Sequence, residues 1–207
     1  MRIVIVADTH TYHDTLGVLE GDILLHCGDL CYGMLATKKQ LDDADRWLGK
    51  QKFKTIVCIG GNHDRPIQRR VRSSVKPVLH NAIYLQDEEI VVEGLKIYGT
   101  PWIPLLAMWS FYLNDESLRQ KWAQIPNDVD ILMTHTPPKG ILDFSNMTKT
   151  PAGCPHLAER VAQIKPKIHC FGHIHEAYGR IDTAETIFIN AAVLAKKSLN
   201  EPFVIDL

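Results

Sequence analysis

Five short segments of this chain pair residues able to bind metal with the ends of apolar runs. Asp8-Thr9-His10 follows Arg2–Ala7, Gly28-Asp29 follows Asp22–Cys27, and Gly60-Gly61-Asn62-His63-Asp64 follows Thr55–Ile59. Thr134-His135-Thr136 follows Asp130–Met133, and Gly172-His173-Ile174-His175 follows the shorter run Lys167–Phe171. Short continuous apolar runs read as buried strands. Ligand-type residues at the C-terminal ends of such strands stand where an open α/β sheet builds its site. The repetition predicts a metal centre assembled from the whole length of the chain.

Bulk composition leaves that reading free. With 207 residues, 45% hydrophobic and 23% charged, the chain has the makeup of a globular protein, read here as a single domain over residues 1–207. Its net charge of −1, from 23 basic and 24 acidic residues, argues against long nucleic acid as a partner. No apolar run approaches the ~20 residues of a membrane-spanning helix, so no membrane partner is expected. The five cysteines, Cys27, Cys31, Cys58, Cys154 and Cys170, form no close Cys-x-x-Cys pair. Cys27, Cys58 and Cys170 fall in predicted strands, as reduced thiols that behave as small apolar groups. With no leader-like segment at the start, this points to the cytoplasm.

The order of elements predicts an α/β fold. Strands are expected at 2–7, 22–27 and 55–60, with a helix over 37–50 that starts on Thr37 as N-cap and buries Leu41, Ala44, Trp47 and Leu48. Strand–helix–strand order favours parallel pairing. Short strands follow at 82–85, 90–93 and 95–98, with Glu93-Gly94 as a hairpin turn, and 100–114 is an aromatic- and proline-bearing loop. A helix over 116–125 leads into a strand at 130–134, and 136–155 reads as a long surface loop. A helix over 156–164, a strand at 167–171 and strands at 178–181, 186–190 and 203–205 complete two packed sheets with helices outside.

Asp8, Asp29 and Asn62 offer oxygen, and His10, His135, His173 and His175 offer nitrogen. One tetrahedral ion would leave several of these seven unused, whereas two ions sharing a carboxylate use them all. Donors of this kind without thiolate suit Mn²⁺, Fe, Zn²⁺ or Co²⁺. Two cations roughly 3.5–4 Å apart serve phosphoryl chemistry: they stabilise the attacking and leaving oxygens and bring the pKa of water towards neutrality. Phosphoester hydrolysis is the reaction this constellation best serves.

In that order, Asp8-x-His10, Gly28-Asp29, Gly61-Asn62-His63-Asp64, His135 and Gly172-His173-x-His175 resemble the signature of the calcineurin-like metallophosphoesterases, from the first strand to about residue 191. The resemblance implies a two-sheet β-sandwich flanked by helices on both sides, a four-layer fold. It also implies that Asp8, His10, Asp29 and His175 hold one divalent ion and Asp29, Asn62, His135 and His173 a second, with Asp29 bridging and hydroxide at the metals as nucleophile. His63 would contact the phosphate and assist the leaving oxygen, and Asp64 would hydrogen-bond His63 and orient it. Manganese is the first expectation for the metals, with iron, zinc, cobalt or magnesium as alternatives.

A narrower resemblance lies in Gly99-Thr100-Pro101-Trp102, His135-Thr136-Pro137-Pro138 and Lys165-Pro166-Lys167 together with Gly172-His173-Ile174-His175-Glu176. These are similar to the metallophosphoesterase-domain subgroup, which implies a phosphodiesterase acting on cyclic nucleotides or other small phosphoesters. Some members of that subgroup lack the last histidine of Gly-His-x-His and are weak enzymes; His175 is present here. The competing readings are a phosphomonoesterase or nuclease on the same centre, and a non-catalytic scaffold that retains the fold.

Outside the signature, His26 and His169 are expected in the core, His80 and His156 at the surface or a helix cap, and His13 in a solvated loop. Arg65 could touch phosphate or form a surface ion pair. Of Trp102, Trp109, Phe111 and Tyr112, packing is the first expectation, with Trp102 or Trp109 as a possible wall of the substrate pocket.

Overall fold

A computed structural model describes residues 1–195 and 199–207. Its elements, in chain order, are β1 (Arg2–Val6), β2 (Ile23–His26), α1 (Lys38–Leu48), β3 (Thr55–Cys58), α2 (Arg65–Arg72), β4 (Ile83–Tyr84), β5 (Glu88–Val92) and β6 (Leu95–Thr100). The second half runs α3 (Asp115–Ala123), β7 (Ile131–Thr134), β8 (Phe144–Ser145), β9 (Thr150–Pro151), α4 (Pro155–Ile164), β10 (Ile168–Phe171), β11 (Gly179–Asp182), β12 (Ile187–Asn190) and β13 (Phe203–Asp206).

The strands form two large sheets, β13-β1-β2-β3-β4 and β11-β12-β10-β7-β6-β5. β1 to β4 are mutually parallel, as are β6, β7, β10 and β12. The alternation of the strands decides what each sheet buries. Ile3, Ile5, Ile23, Leu25 and Val57 from the first sheet meet Ile97, Ile131, Met133, Ile168 and Ile189 from the second in a core between the sheets. On the outer face of the first sheet, Val4, Val6 and Leu24 pack on Leu41, Ala44, Trp47 and Leu48 of α1 and Ile67 of α2. On the outer face of the second, Tyr98, Leu132 and Phe188 pack on Leu118 and Trp122 of α3 and Leu157 and Val161 of α4. The result is the expected helix–sheet–sheet–helix sandwich. Each such large apolar side chain, once buried, contributes about 1.5–3 kcal/mol.

Local signals explain the boundaries. Thr37 caps α1 in a reciprocal capping box with Gln40, Asn114 caps α3 through Ser117, and Pro155 opens α4. Glu93 and Gly94, both at positive φ, turn β5 back onto β6. All five cysteines are free and buried. No helix among the described residues is long and apolar enough to cross a membrane.

Three local expectations need correction. Helix α2 occupies a stretch not predicted to be helical, because four arginines in Arg65–Arg72 leave only a narrow apolar stripe around Ile67. The 136–155 stretch is not a plain surface loop: Thr136, Pro137 and Pro138 are buried, and β8 pairs with β9 as a small hairpin. The Asp143 carboxylate organises it by accepting from the amides of Gly140 and Gly153. His13 is not solvated; its side chain is 1% exposed and its ring packs on Trp47.

Candidate metal centre

The C-terminal ends of β1, β2 and β3 in one sheet and of β7 and β10 in the other open at the same edge of the sandwich. Backbone bonds fasten the two ends together: Ala7 N–H donates to Ala191 O at 2.9 Å, and Val193 N–H to Ala7 O at 2.9 Å. The parallel ladder then continues into the loops, with Asp8 N–H bonded to Gly28 O and His10 N–H to Asp29 O. Asp8, His10, Asp29 and His173 all take positive φ (55°, 43°, 59° and 70°). Non-glycine residues held there carry strain of order 1–3 kcal/mol each, and such outliers gather at functional sites. Two glycines permit the closeness: a Cβ at Gly61 would lie 2.3 Å from Asp29 Oδ1, and one at Gly172 would lie 2.1 Å from Asp8 Oδ2.

All seven ligand-type residues named from sequence gather here, with His63 beside them. Asp29 is central: its Oδ2 lies 3.3 Å from His135 Nε2, 3.7 Å from His10 Nε2 and 3.9 Å from His63 Nε2. Asp8 Oδ1 lies 3.4 Å from His175 Nε2 and 3.8 Å from His10 Nε2. His10 Nε2 faces His175 Nε2 at 3.1 Å, and His135 Nε2 faces Asn62 Oδ1 at 3.0 Å. The His173 ring centroid stands 5.0 Å from that of His135.

The donor chemistry fits cations. His10 Nδ1 bonds the Cys31 carbonyl at 3.0 Å and His135 Nδ1 the Cys27 carbonyl at 2.9 Å. A carbonyl only accepts, so both rings carry a proton on Nδ1 and present Nε2 to the site. Despite burial, the Asp29 carboxylate beside His135 raises that imidazole to about 9, so its Nε2 also holds a proton that a cation would displace. Both Nε2 atoms face carboxylate oxygens, and among the described residues Asp8 Oδ1 is buried with no hydrogen-bond partner. The remaining carboxylate oxygens are fixed from behind, Asp29 Oδ1 by the His63 amide at 2.7 Å and Asp8 Oδ2 by the His173 amide at 2.9 Å. Burial alone would raise the Asp8 and Asp29 carboxyls, yet positive charge and N–H donation from the imidazoles, His175 at Asp8 and His135 at Asp29, hold Asp8 down to about 2 and Asp29 lower still. Two buried carboxylates that stay ionised only against imidazolium charge form a site for positive charge, which a metal cation can supply in place of those protons.

His63 and Asp64 part company here. The expected Asp64–His63 hydrogen bond is absent. Asp64 is fully buried, and its carboxylate accepts from the amides of Asp29, Leu30, Cys31 and Gly61 at 2.8, 3.3, 2.8 and 2.9 Å. It ties the Gly28-Asp29 turn to the Gly61-Asn62 turn. The His63 ring is oriented instead by the Gly33 amide, which donates to Nδ1 at 2.7 Å, and it lies between Trp109 (4.5 Å) and Tyr32 (5.6 Å). Burial pushes the His63 imidazole down to about 4.

A cavity of about 540 Å³ opens over Asp29, Asn62, His63, His173 and His175, and Leu105, Leu106, Trp109 and Met147 wall it. Trp109 thus lines the cavity. Trp102 does not; its indole N–H bonds Asp87 at 2.8 Å and its ring packs into the core. Arg65 bonds the Met34 carbonyl rather than facing the cavity. His26 and His169 are fully buried, bonded through Nε2 to the hydroxyls of Thr9 and Thr134. His80 is exposed, and His156 pairs with Asp115. Sequence reasoning missed Tyr32, and it missed Asn190, whose amide donates to the carbonyls of Leu142 and Ile174 and steadies the loop bearing His173 and His175.

Comparison with known proteins agrees with this geometry. A family model described as calcineurin-like phosphoesterase matches residues 1–177. The human metallophosphoesterase domain-containing protein 1 is 36% identical over 232 residues, covering 100% of this chain and 71% of that protein. A UPF0046 protein of Caenorhabditis elegans is 33% identical over 229 residues, covering 100% of this chain and 81% of its own. In fold, the crystal structure of TT1561 of Thermus thermophilus superposes with a TM-score of 0.65 at 13% identity, over 92% of this chain and 88% of that one.

Proposed function

The chain belongs to the calcineurin-like phosphoesterase family, whose members are metal-dependent phosphoester hydrolases, and on that premise we propose that it is a binuclear phosphodiesterase of small diesters, cyclic nucleotides first among them. One observation carries this reading: Asp29 Oδ2 faces His10 on one side and His135 on the other at 3.7 and 3.3 Å. A single carboxylate so placed is the group that two cations would share. Asp8, His10, Asp29 and His175 would hold one ion, and Asp29, Asn62, His135 and His173 the other. Manganese is the first candidate on an all-nitrogen-and-oxygen donor set. When bound, the pair supplies fixed positive charge for an anionic transition state and lowers the pKa of water.

The chain's own groups do the rest. Because the Gly33 amide occupies His63 Nδ1, the neutral ring keeps its proton on Nε2, the atom turned towards Asp29 and the cavity. That N–H can donate to a non-bridging phosphate oxygen and then to the departing one. Tyr32 and Trp109 hold the ring plane. The apolar wall of Leu105, Leu106, Trp109 and Met147 suits the uncharged part of a diester, such as a nucleobase or an aryl group. A monoester of inorganic size leaves that wall unused. Five buried free cysteines support a reducing compartment, read as the cytoplasm.

The test is a turnover panel after loading with Mn²⁺, Zn²⁺ or Mg²⁺. A cyclic nucleotide and an aryl phosphodiester should exceed a nucleoside monophosphate and single-stranded DNA in kcat/KM. Preference for the monophosphate or for DNA would replace the diesterase reading with a monoesterase or a nuclease. No turnover on any substrate with both ions bound would favour a scaffold.

A further inference from the structure

Among the described residues, one group of ligand-type side chains stands apart from the cavity. His13, Asp14 and Asp43 each offer one ligand atom, and the three atoms lie within 4.8 Å of one another. His13 Nε2 is 3.4 Å from Asp43 Oδ2. The His13 side chain is only 1% exposed, yet among the described residues neither of its ring nitrogens makes a well-formed hydrogen bond, the 3.4 Å approach of Asp43 being an ion-pair contact. Trp47, whose ring packs on His13 at 5.5 Å, has a buried indole N–H in the same condition. Buried polar atoms are almost always partnered, so an imidazole orphaned at both nitrogens asks for a ligand. On the other side, Asp14 and Asp43 reach solvent, which gives an ion a way in. Arg46 holds Asp43 Oδ1 at 2.5 Å, leaving Oδ2 for the cluster.

We propose that His13, Asp14 and Asp43 form a third divalent-cation site, separate from the binuclear centre and suited to a borderline ion such as Zn²⁺. One imidazole and two carboxylates match that class of metal, with water completing the shell. Burial lowers His13 below the ordinary histidine range, which keeps its lone pair available near neutrality. The position gives the site a consequence. His13 opens a short 3₁₀ turn, His13–Leu16, three residues beyond His10, and Asp43 lies on α1. His10 and Thr11, just ahead of that turn, stand at φ 43° and 68°. An ion here pins the strained loop after β1 to a rigid helix and braces His10 from behind.

The experiment counts Zn²⁺ on the full chain by elemental analysis after equilibrium dialysis, with a calorimetric titration of Zn²⁺ alone. Asp14→Asn and Asp43→Asn alter solvent-facing groups and should each bind one ion fewer than the parent, as should His13→Ala. His135→Ala removes a different ion, so D43N combined with H135A should lose both. A smaller rise in Tm on adding Zn²⁺ to D14N and D43N than to the parent is the second expected readout. Unchanged Zn²⁺ number and affinity in D14N and D43N overturns the proposal. So does the loss of two ions from D43N alone, which would trace its effect to the binuclear centre.

Discussion

The Gly33 amide donates to His63 Nδ1 at 2.7 Å, and that bond decides which ring nitrogen can act on a substrate. A backbone N–H cannot accept, so Nδ1 is committed and Nε2 is the only atom with a proton to give. His63 Nε2 lies 3.9 Å from Asp29 Oδ2, little farther than His10 Nε2 at 3.7 Å, and the three could share an ion; what sets His63 apart is the Gly33 bond, which leaves the Nε2 of the neutral ring protonated and without a lone pair for a metal. His63→Ala is therefore expected to keep both ions and the folded structure while kcat falls by about 10²–10⁴, the usual share of a general acid. Metal content measured beside kcat checks it. Loss of an ion together with the rate would move His63 into the metal shell.

Asp64 should behave differently although it is the next residue. Its carboxylate is the common acceptor for four amides of two ligand-bearing turns. Asp64→Ala leaves those buried N–H groups without partners, each worth about 1–3 kcal/mol when orphaned. The expected outcome is a loss of stability of about 3 kcal/mol or more in urea unfolding, with weaker metal binding. His63→Ala should show neither. Equal unfolding midpoints for the two variants would return Asp64 to the role of partner to His63.

Where this chain was legible, the signal was local. The strands of the central core announce themselves as short continuous runs of Ile, Leu and Val, and Thr37 marks the start of α1; the cap at Asn114, one residue ahead of α3, went unread. The seven ligand-type residues stood out because each follows such a strand. What stayed hidden depends on contacts distant in sequence. Nothing near His63 indicates that Gly33, thirty positions earlier, holds its ring, and the family resemblance implied Asp64 instead. His13 read as a loop residue because its partner in packing, Trp47, arrives on α1. The α2 helix was obscured by its own arginines, and Trp102 and Trp109 are separable only by where the chain folds them.

The shared position of Asp29 makes a prediction about metal counts. Asn62 and His135 face one half of the site only, so Asn62→Ala or His135→Ala should empty one position, collapse activity and leave folding largely intact. Asp29→Asn should weaken both ions, because its carboxylate faces both His10 and His135. Elemental analysis at a fixed free Mn²⁺ level distinguishes the cases. An Asp29→Asn protein that loses a single ion would show that the carboxylate is not shared.

The two tryptophans divide wall from core. Trp109→Ala should raise KM about tenfold for diesters that carry a base or aryl group, since one stacked ring is worth about 1–3 kcal/mol, and should leave KM for a purely aliphatic diester near its parent value. Trp102→Ala should leave that ratio unchanged. It removes a ring bonded to Asp87 and packed beside Lys121, so its cost should appear as about 3 kcal/mol of stability. Identical KM ratios for both variants would remove Trp109 from the substrate wall.

His169 supplies a pH signature that is independent of the metals. It is fully buried between Phe171 and Phe188, and among the described residues its one polar partner is the Thr134 hydroxyl at 2.9 Å. Burial lowers its pKa to about 3 from the ordinary 6.5. Below pH ~6.5 the unfolded chain takes up a proton that the native ring refuses, so stability is complete above that value and falls as the pH drops towards 3. Between about pH 7.5 and pH 5 this one group should cost about 2 kcal/mol. His169→Gln cannot titrate. In chelator, its stability deficit relative to the parent should shrink by about that amount on acidification. A deficit that stays constant across the same range would mean that the native ring accepts the proton after all.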